Sequence, residues 1–189
     1  MFTYSQGSIY VSCSYFDSKY RDRLFQKGTK KVSKNELSKL VVKKLQKIGK
    51  TLSVAESITA GGIANQITQV PGSSKVFFGG VIAYSDESKI SQLDIKIADI
   101  KKFTSVSELV AIEMAKNVRK KFKTDFAIST TGVAGPGKAY GQKAGTVWIG
   151  ISSQKESFAV SLLLSGDREM IRHATITSAL AALERILKP

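Results

Sequence analysis

The 189-residue sequence has one cysteine, Cys13, one histidine, His173, and three prolines. A lone cysteine excludes an internal disulfide and any cysteine-built metal cluster, and it fits the reducing cytoplasm. A lone histidine excludes a metal centre of paired imidazoles and leaves a serine–histidine pair only one possible base. No apolar run approaches the roughly 20 residues that cross a bilayer, and the first residues lack the apolar core of a secretory signal. Acidic residues are also scarce: 15 Asp and Glu stand against 29 Lys and Arg, for a formal net charge of +14. With 42% hydrophobic and 23% charged residues, the chain reads as a soluble globular domain with a full core.

The positive charge raises nucleic acid as a partner. Residues 1–50 hold 12 basic against 3 acidic residues, net +9, while residues 51–189 hold 17 against 12, net +5. The excess therefore precedes the motifs that carry chemistry. No recognition motif or aromatic platform accompanies it, so the reading is a solvated lysine-rich surface with no nucleic-acid partner.

Residues 1–31 alternate aromatics with serines and then turn basic, with no sustained period. They read as an N-terminal extension, either flexible or a weak surface hairpin, ahead of a domain over 32–189. Ser33 and Glu36 form a capping box, and Leu37, Leu40, Val41, Lys44, Leu45 and Ile48 follow at helical spacing up to Gly49. A strand over 51–56 leads into a helix from about Thr59 to Gln69, stopped by Pro71-Gly72. FFGGVIAY, residues 77–84, has the apolar continuity of a buried strand. SDESK, residues 85–89, then opens a helix rich in acids. Ser105 and Glu108 make a second capping box for a helix to about Phe122, with Leu109, Ile112, Ala115 and Val118 inward. DFAISTTG is a strand ending at Thr130-Thr131. The glycine-rich loop 132–143 is irregular, GTVWIGIS and SFAVSLLL form a hairpin, and a last helix starts at Gly166-Asp167-Arg168. Helices alternating with apolar strands, plus one hairpin, predict a three-layer α/β/α sandwich with a mixed, mostly parallel sheet.

The stretch TLSVAESITAGG, residues 51–62, puts the Ser57 hydroxyl at a strand-to-helix junction. In an open α/β sheet, ligands bind at the carboxyl ends of the strands, where helix N-termini favour negative charge. Ser57 is therefore a candidate nucleophile, although a serine there serves equally as an ordinary N-cap. If the preceding strands run parallel, Ser57, Tyr84, Thr131 and the helix start at Arg168 share one sheet edge. Lys89 lies just beyond Tyr84. A neutral lysine can take a serine proton when burial or nearby positive charge lowers its pKa, and with a single histidine in the chain a lysine base is the more economical choice. A solvent-exposed helix lysine and a buried structural tyrosine are the ordinary alternatives for these two residues.

Gly132-Val-Ala-Gly-Pro-Gly137-Lys138-Ala139 nearly matches the phosphate-binding loop G-x-x-x-x-G-K-[ST]. Its last position fails, because Ala139 has no hydroxyl for magnesium and no helix follows to receive a phosphate. His173, beside Arg172 and without a metal partner, reads as structural.

Six ordered blocks, AESITAGG, PGSSKVFFGGVIAYSDESK, SVSE, TTGVAGPG, KAGTVWIG and GDREMIR, resemble the C-terminal domain of the competence-damage-inducible CinA proteins and their stand-alone relatives, the bacterial nicotinamide mononucleotide deamidases. The resemblance covers residues 33–188. It implies an α/β/α sandwich with a mixed sheet of about five strands. It also implies hydrolysis of the nicotinamide mononucleotide amide to nicotinate mononucleotide and ammonia, a salvage step toward NAD, in a cytoplasmic homodimer with no metal or organic cofactor. The family's catalytic serine, tyrosine and lysine fall on Ser57, Tyr84 and Lys89. Its threonine and arginine, expected to bind substrate, fall on Thr131 and Arg168. In that mechanism, backbone N–H groups at the helix start after Ser57 stabilise the oxyanion. Two departures bear on substrate fit. The family often reads Glu-Ser-Cys-Thr-Gly-Gly where this chain has Ile58 and Ala60, and the loop before Gly145 is shorter. A family-fold binding domain of weak activity that uses its basic surface is the alternative. Nothing is implied about the nucleotide-processing domain that precedes this one in full-length CinA proteins.

Overall fold

The computed structural model describes residues 4–5, 8–9 and 34–187. Two short strands, β1 (Tyr4–Ser5) and β2 (Ser8–Ile9), pair antiparallel. Ser33 and its half of the first capping box lie outside the described residues. The helix after it, α1 (Lys34–Lys47), buries Leu37, Val41, Val42 and Leu45 and leaves Leu40 exposed.

The main sheet takes its order from β4 (Phe77–Ile82), β3 (Leu52–Glu56), β5 (Phe126–Gly132), β6 (Thr146–Ser153) and β7 (Ser157–Leu163). β3 runs parallel to both β4 and β5, while β6 and β7 complete the sheet antiparallel. The three parallel strands therefore end at one edge, as the sequence required, with Glu56 level with Ile82 and Thr130. β4 departs from expectation. It is an edge strand with alternating burial, and Phe78 and Ile82 are exposed on one face. A continuous apolar run cannot distinguish a strand covered on both faces from an edge strand whose second face lacks a covering helix.

Two cores sandwich the sheet. On one face, α1, α2 (Gly62–Thr68) and α6 (Arg168–Ile186) pack Val41, Leu45, Ile63, Ile67, Ile171 and Leu180 against Leu52, Ile128 and Ile149. On the other, α5 (Glu108–Phe122) and α3 (Asp86–Leu93) pack Val110, Met114, Val118 and Leu93 against Ala55 and Ala127. α4 (Ile97–Phe103) joins α3 to α5 and has no fully buried residue.

The sheet residues under α5 are small, so the helix lies close. The Ser129 hydroxyl donates to the Ala111 carbonyl at 2.5 Å, and a Cβ on Gly150 would stand 2.3 Å from that same oxygen. α5 is capped by Ser107, whose Oγ accepts from the Val110 N–H, and not by Ser105. The inner face is Val110, Ala111, Met114, Ala115 and Val118: Ala115 and Val118 are buried as expected, while Leu109 and Ile112 are only half-buried. Both Ser105 and Ser107 precede Glu108. The spacing to Glu108 favours Ser105, but the Ser105 hydroxyl is taken by Asp86. None of the described helices is long and apolar enough to cross a membrane.

Candidate active site

At the edge where the parallel strands end, a cavity of about 180 Å³ is lined by Ser57, Tyr84, Lys89, Thr131 and Arg168, together with Ile58, Val106 and part of the loop 132–140. All five residues singled out from the sequence thus meet in one place, although they come from five separate segments.

Ser57 follows β3 directly. Its N–H bonds the Thr130 carbonyl at 2.9 Å, which extends the β3–β5 ladder by one step and fixes the serine's height above the sheet. Its Oγ has no hydrogen-bond partner among the described residues, and the residue is 7% exposed. The turn that carries it is held from several sides. Thr59 and Thr130 share a hydroxyl–hydroxyl contact of 2.7 Å. From α6, Arg172 donates to the carbonyls of Ile58 and Thr59, both at 3.1 Å. Ala60 sits at φ 48, in the left-handed region that glycine enters at lower cost.

α2 begins at Gly62, three residues later than the spacing indicated, because the Glu56 carboxylate reaches forward and caps it. Its two oxygens accept from the N–H groups of Ile63 at 3.0 Å and Ala64 at 2.8 Å. Ser57 is thus not the N-cap of this helix, and its hydroxyl is left for other work. The same bonds occupy the helix-start N–H groups expected to face an oxyanion. Among the described residues, the N–H groups of Ile58 and Thr59 have no protein acceptor. Glu56 and Arg172 were missed in the sequence. Glu56 is 1% exposed at the end of an apolar strand, and a carboxylate at that point is the one signal that could have exposed its role.

Lys89 is 1% exposed, one turn into α3. Burial pushes its pKa below the ordinary lysine value, with the Asp86 carboxylate and more weakly Glu87 opposing. Asp86 Oδ1 lies 3.7 Å from Lys89 Nζ. The same oxygen accepts from the Ser105 hydroxyl and, at 3.4 Å, from the Tyr140 hydroxyl. Thr131 is 1% exposed and its hydroxyl donates to the Ser105 carbonyl at 2.6 Å, so its proton is already committed.

Tyr84 is 55% exposed at the cavity rim, contrary to a buried structural tyrosine. Arg168 donates to the Tyr84 hydroxyl at 2.6 Å and to the Gly135 carbonyl at 2.8 Å, joining β4, the glycine-rich loop and the start of α6. That α6 start is capped by Asp167, whose Oδ1 accepts from the Met170 N–H. Loop 133–145 makes no helix after Gly137-Lys138. Instead Ala139 and Gln142 bond each other across a two-residue turn with positive φ at Tyr140 and Gly141, so the near-match to a phosphate-binding loop has no phosphate-loop geometry. His173 is exposed on α6 and does not line the cavity. No group of three or more His, Cys, Asp or Glu among the described residues is placed to hold a metal ion.

The family model of the CinA C-terminal domain matches residues 34–187. The chain belongs to the CinA C-terminal domain family. A competence-damage inducible protein of Thermoanaerobacter sp. (strain X514) is 43% identical over 157 residues, which is 82% of this chain and 38% of the relative. One from Clostridium botulinum (strain ATCC 19397 / Type A) is 43% identical over 153 residues, 80% of this chain and 37% of the relative. The chain thus spans less than two fifths of these curated relatives. Solved structures of the CinA type match nearly whole. The competence or damage-inducible protein from Enterobacter asburiae superposes with a TM-score of 0.81 at 30% identity, covering 83% of this chain and 99% of that one. A CinA superfamily protein from Escherichia coli gives 0.84 at 25% identity, covering 90% and 99%. These solved structures share the α/β/α fold of the described part of this chain.

Proposed function

We propose that this CinA-family domain is an amidohydrolase that converts nicotinamide mononucleotide to nicotinate mononucleotide and ammonia. The observation that carries the reading is the shared cavity of an unbonded Ser57 hydroxyl and a Lys89 amine that burial drives toward its neutral form. A neutral amine facing the same cavity as a free hydroxyl can serve as its base.

The Ser57 proton passes to Lys89 as Oγ bonds the carboxamide carbon. The oxyanion is met by N–H groups of the turn after the nucleophile, for which Ile58 and Thr59 are the candidates. The Lys89 ammonium then protonates the amide nitrogen as the C–N bond breaks, and ammonia leaves. Water adds to the acyl-enzyme, gives a proton to Lys89 and releases the carboxylate product, and the proton returns to Ser57. Thr131 is suited to accept from the carboxamide N–H. Arg168, at the start of α6, suits the phosphate, with Tyr84 held beside it to orient the substrate. Every one of these steps uses groups of the chain and water.

The test is ammonia release from nicotinamide mononucleotide by the purified protein beside Ser57→Ala. Turnover in the parent that falls to background in the variant supports the reading. A folded parent with no turnover sinks it and leaves the binding-domain alternative.

A further inference from the structure

A serine activated by a base is commonly completed by a third group that orients the base and stabilises the cation it becomes. Tyr84 does not fill that place here, because its hydroxyl is taken by Arg168 at the rim. Asp86 has the geometry for it. It lies one helical turn before Lys89, its side chain is 31% exposed, and Oδ1 points at Nζ from 3.7 Å. That oxygen is also the meeting point of two other elements, through the hydroxyls of Ser105 and Tyr140. Ser105 in turn receives Thr131 on its carbonyl, so Asp86 is tied back to the end of β5 beside the nucleophile. Tyr140 reaches it from a turn at φ 53, a conformation a bulky side chain enters at a cost, from the loop that lines the cavity.

We propose that Asp86 is the positioning residue of a Ser57–Lys89–Asp86 triad, fixing the Lys89 amine toward the cavity and stabilising the ammonium it becomes during turnover. The inference rests on the amidohydrolase reading and adds to it a residue for which neither the cavity lining nor the family resemblance gives a role. No proton is transferred to Asp86: the proton of Ser57 stops at Nζ and goes on to the leaving nitrogen, and the carboxylate acts by its charge alone. Its two hydroxyl donors hold that charge in place.

The groups facing Lys89 define what a change at Asp86 does. From its own helix these are Asp86 and Glu87, and across the cavity Tyr84, Tyr140 and Arg168. α5 packs on the far end of α3, where Asn117 and Lys121 bond the carbonyls of Leu93 and Gln92. Asp86 is the nearest carboxylate and opposes the desolvation of the amine. Its removal leaves the amine neutral to lower pH while loosening its aim.

The experiment compares the parent with Asp86→Asn, and with Asp86→Ser as a second variant suited to a helix start. Two readouts are taken: the pH dependence of nicotinamide mononucleotide turnover, and titration of Lys89 by ¹³C NMR of lysine-labelled protein, its signal assigned by loss in Lys89→Met. The expected result is a drop in kcat of about 10²-fold, with the acid limb of the profile and the NMR titration both displaced to lower pH. A lower melting temperature with both titrations in place marks a residue needed only for folding, a displaced titration with kcat unchanged marks a neighbouring charge that positions nothing, and either outcome overturns the proposal. If the parent turns over nothing yet the Lys89 titration moves down in the variants, Asp86 keeps its hold on the amine and only the amidohydrolase reading fails.

Discussion

At position 89 the long side chain of a lysine is 1% exposed, and folding there disfavours the charged form, with burial the main cause and Asp86 the main opposition. The folded-state pKa lies below the unfolded value, so the unfolded chain binds the extra proton between the two. Stability from this residue is therefore full above the unfolded pKa, near 10.5, and is lost as pH falls through the folded value. Lys89→Met, which keeps the length and removes the amine, is expected to lower turnover by about 10²- to 10⁴-fold. It is also expected to unfold at higher urea than the parent at neutral pH, with that advantage shrinking as pH is raised toward 10.5, where the parent's amine is neutral in both states. A variant less stable than the parent at neutral pH would mean that the ammonium, and not the amine, is what the fold favours. Lys89 was legible as a candidate from its place after Tyr84. Its burial was not, since most helix lysines with the same sequence surroundings stay in water.

Among the elements, the turn between β3 and α2 does most to set the site. Glu56 closes it from below through the N–H groups of Ile63 and Ala64, and Arg172 closes it from α6 through the carbonyls of Ile58 and Thr59. A capping carboxylate on two N–H groups is worth roughly 1.5–3 kcal/mol per charge-assisted bond, and an amide in its place keeps one acceptor and loses the charge. Glu56→Gln should thus cost about 1–2 kcal/mol in urea unfolding and lower turnover by loosening Ser57. Unchanged stability would show that the carboxylate charge does not hold the start of α2. The helix was legible from its apolar spacing and its Pro71-Gly72 stop. Its start was not, because a capping side chain six residues before the first helical residue follows no local rule. The cap of α5 has the same origin: the spacing to Glu108 favours Ser105, but Asp86 takes its hydroxyl and Thr131 its carbonyl, and Ser107 caps the helix instead.

For the whole molecule, the net charge of +14 is the property with the widest reach. A phosphate-bearing substrate approaching such a surface is drawn by a field that salt screens, with a Debye length of about 10 Å at 0.1 M and about 3 Å at 1 M. KM for nicotinamide mononucleotide is therefore expected to rise several-fold between low salt and 0.5 M salt, with kcat little changed, because Ser57 and Lys89 are buried away from the screening ions. A salt-independent KM would assign phosphate recognition to Arg168 and the α6 start alone.

The sequence by itself determined the order of elements, the three strands that deliver Ser57, Tyr84 and Thr131 to one edge, and the identity of the five residues that line the cavity. It could do so because hydrophobic period, turn residues and strand-to-helix junctions are local signals, and the direction of parallel strands follows from the helices between them. The tertiary structure alone decided which serine caps α5, that β4 lies at the sheet's edge, that Thr131 spends its proton on Ser105, and that Arg172 braces the turn after Ser57. Each of those depends on contacts between residues as much as 114 positions apart, the separation of Arg172 from Ile58, and a hydrogen bond across that distance leaves no period in the chain for a reader to find.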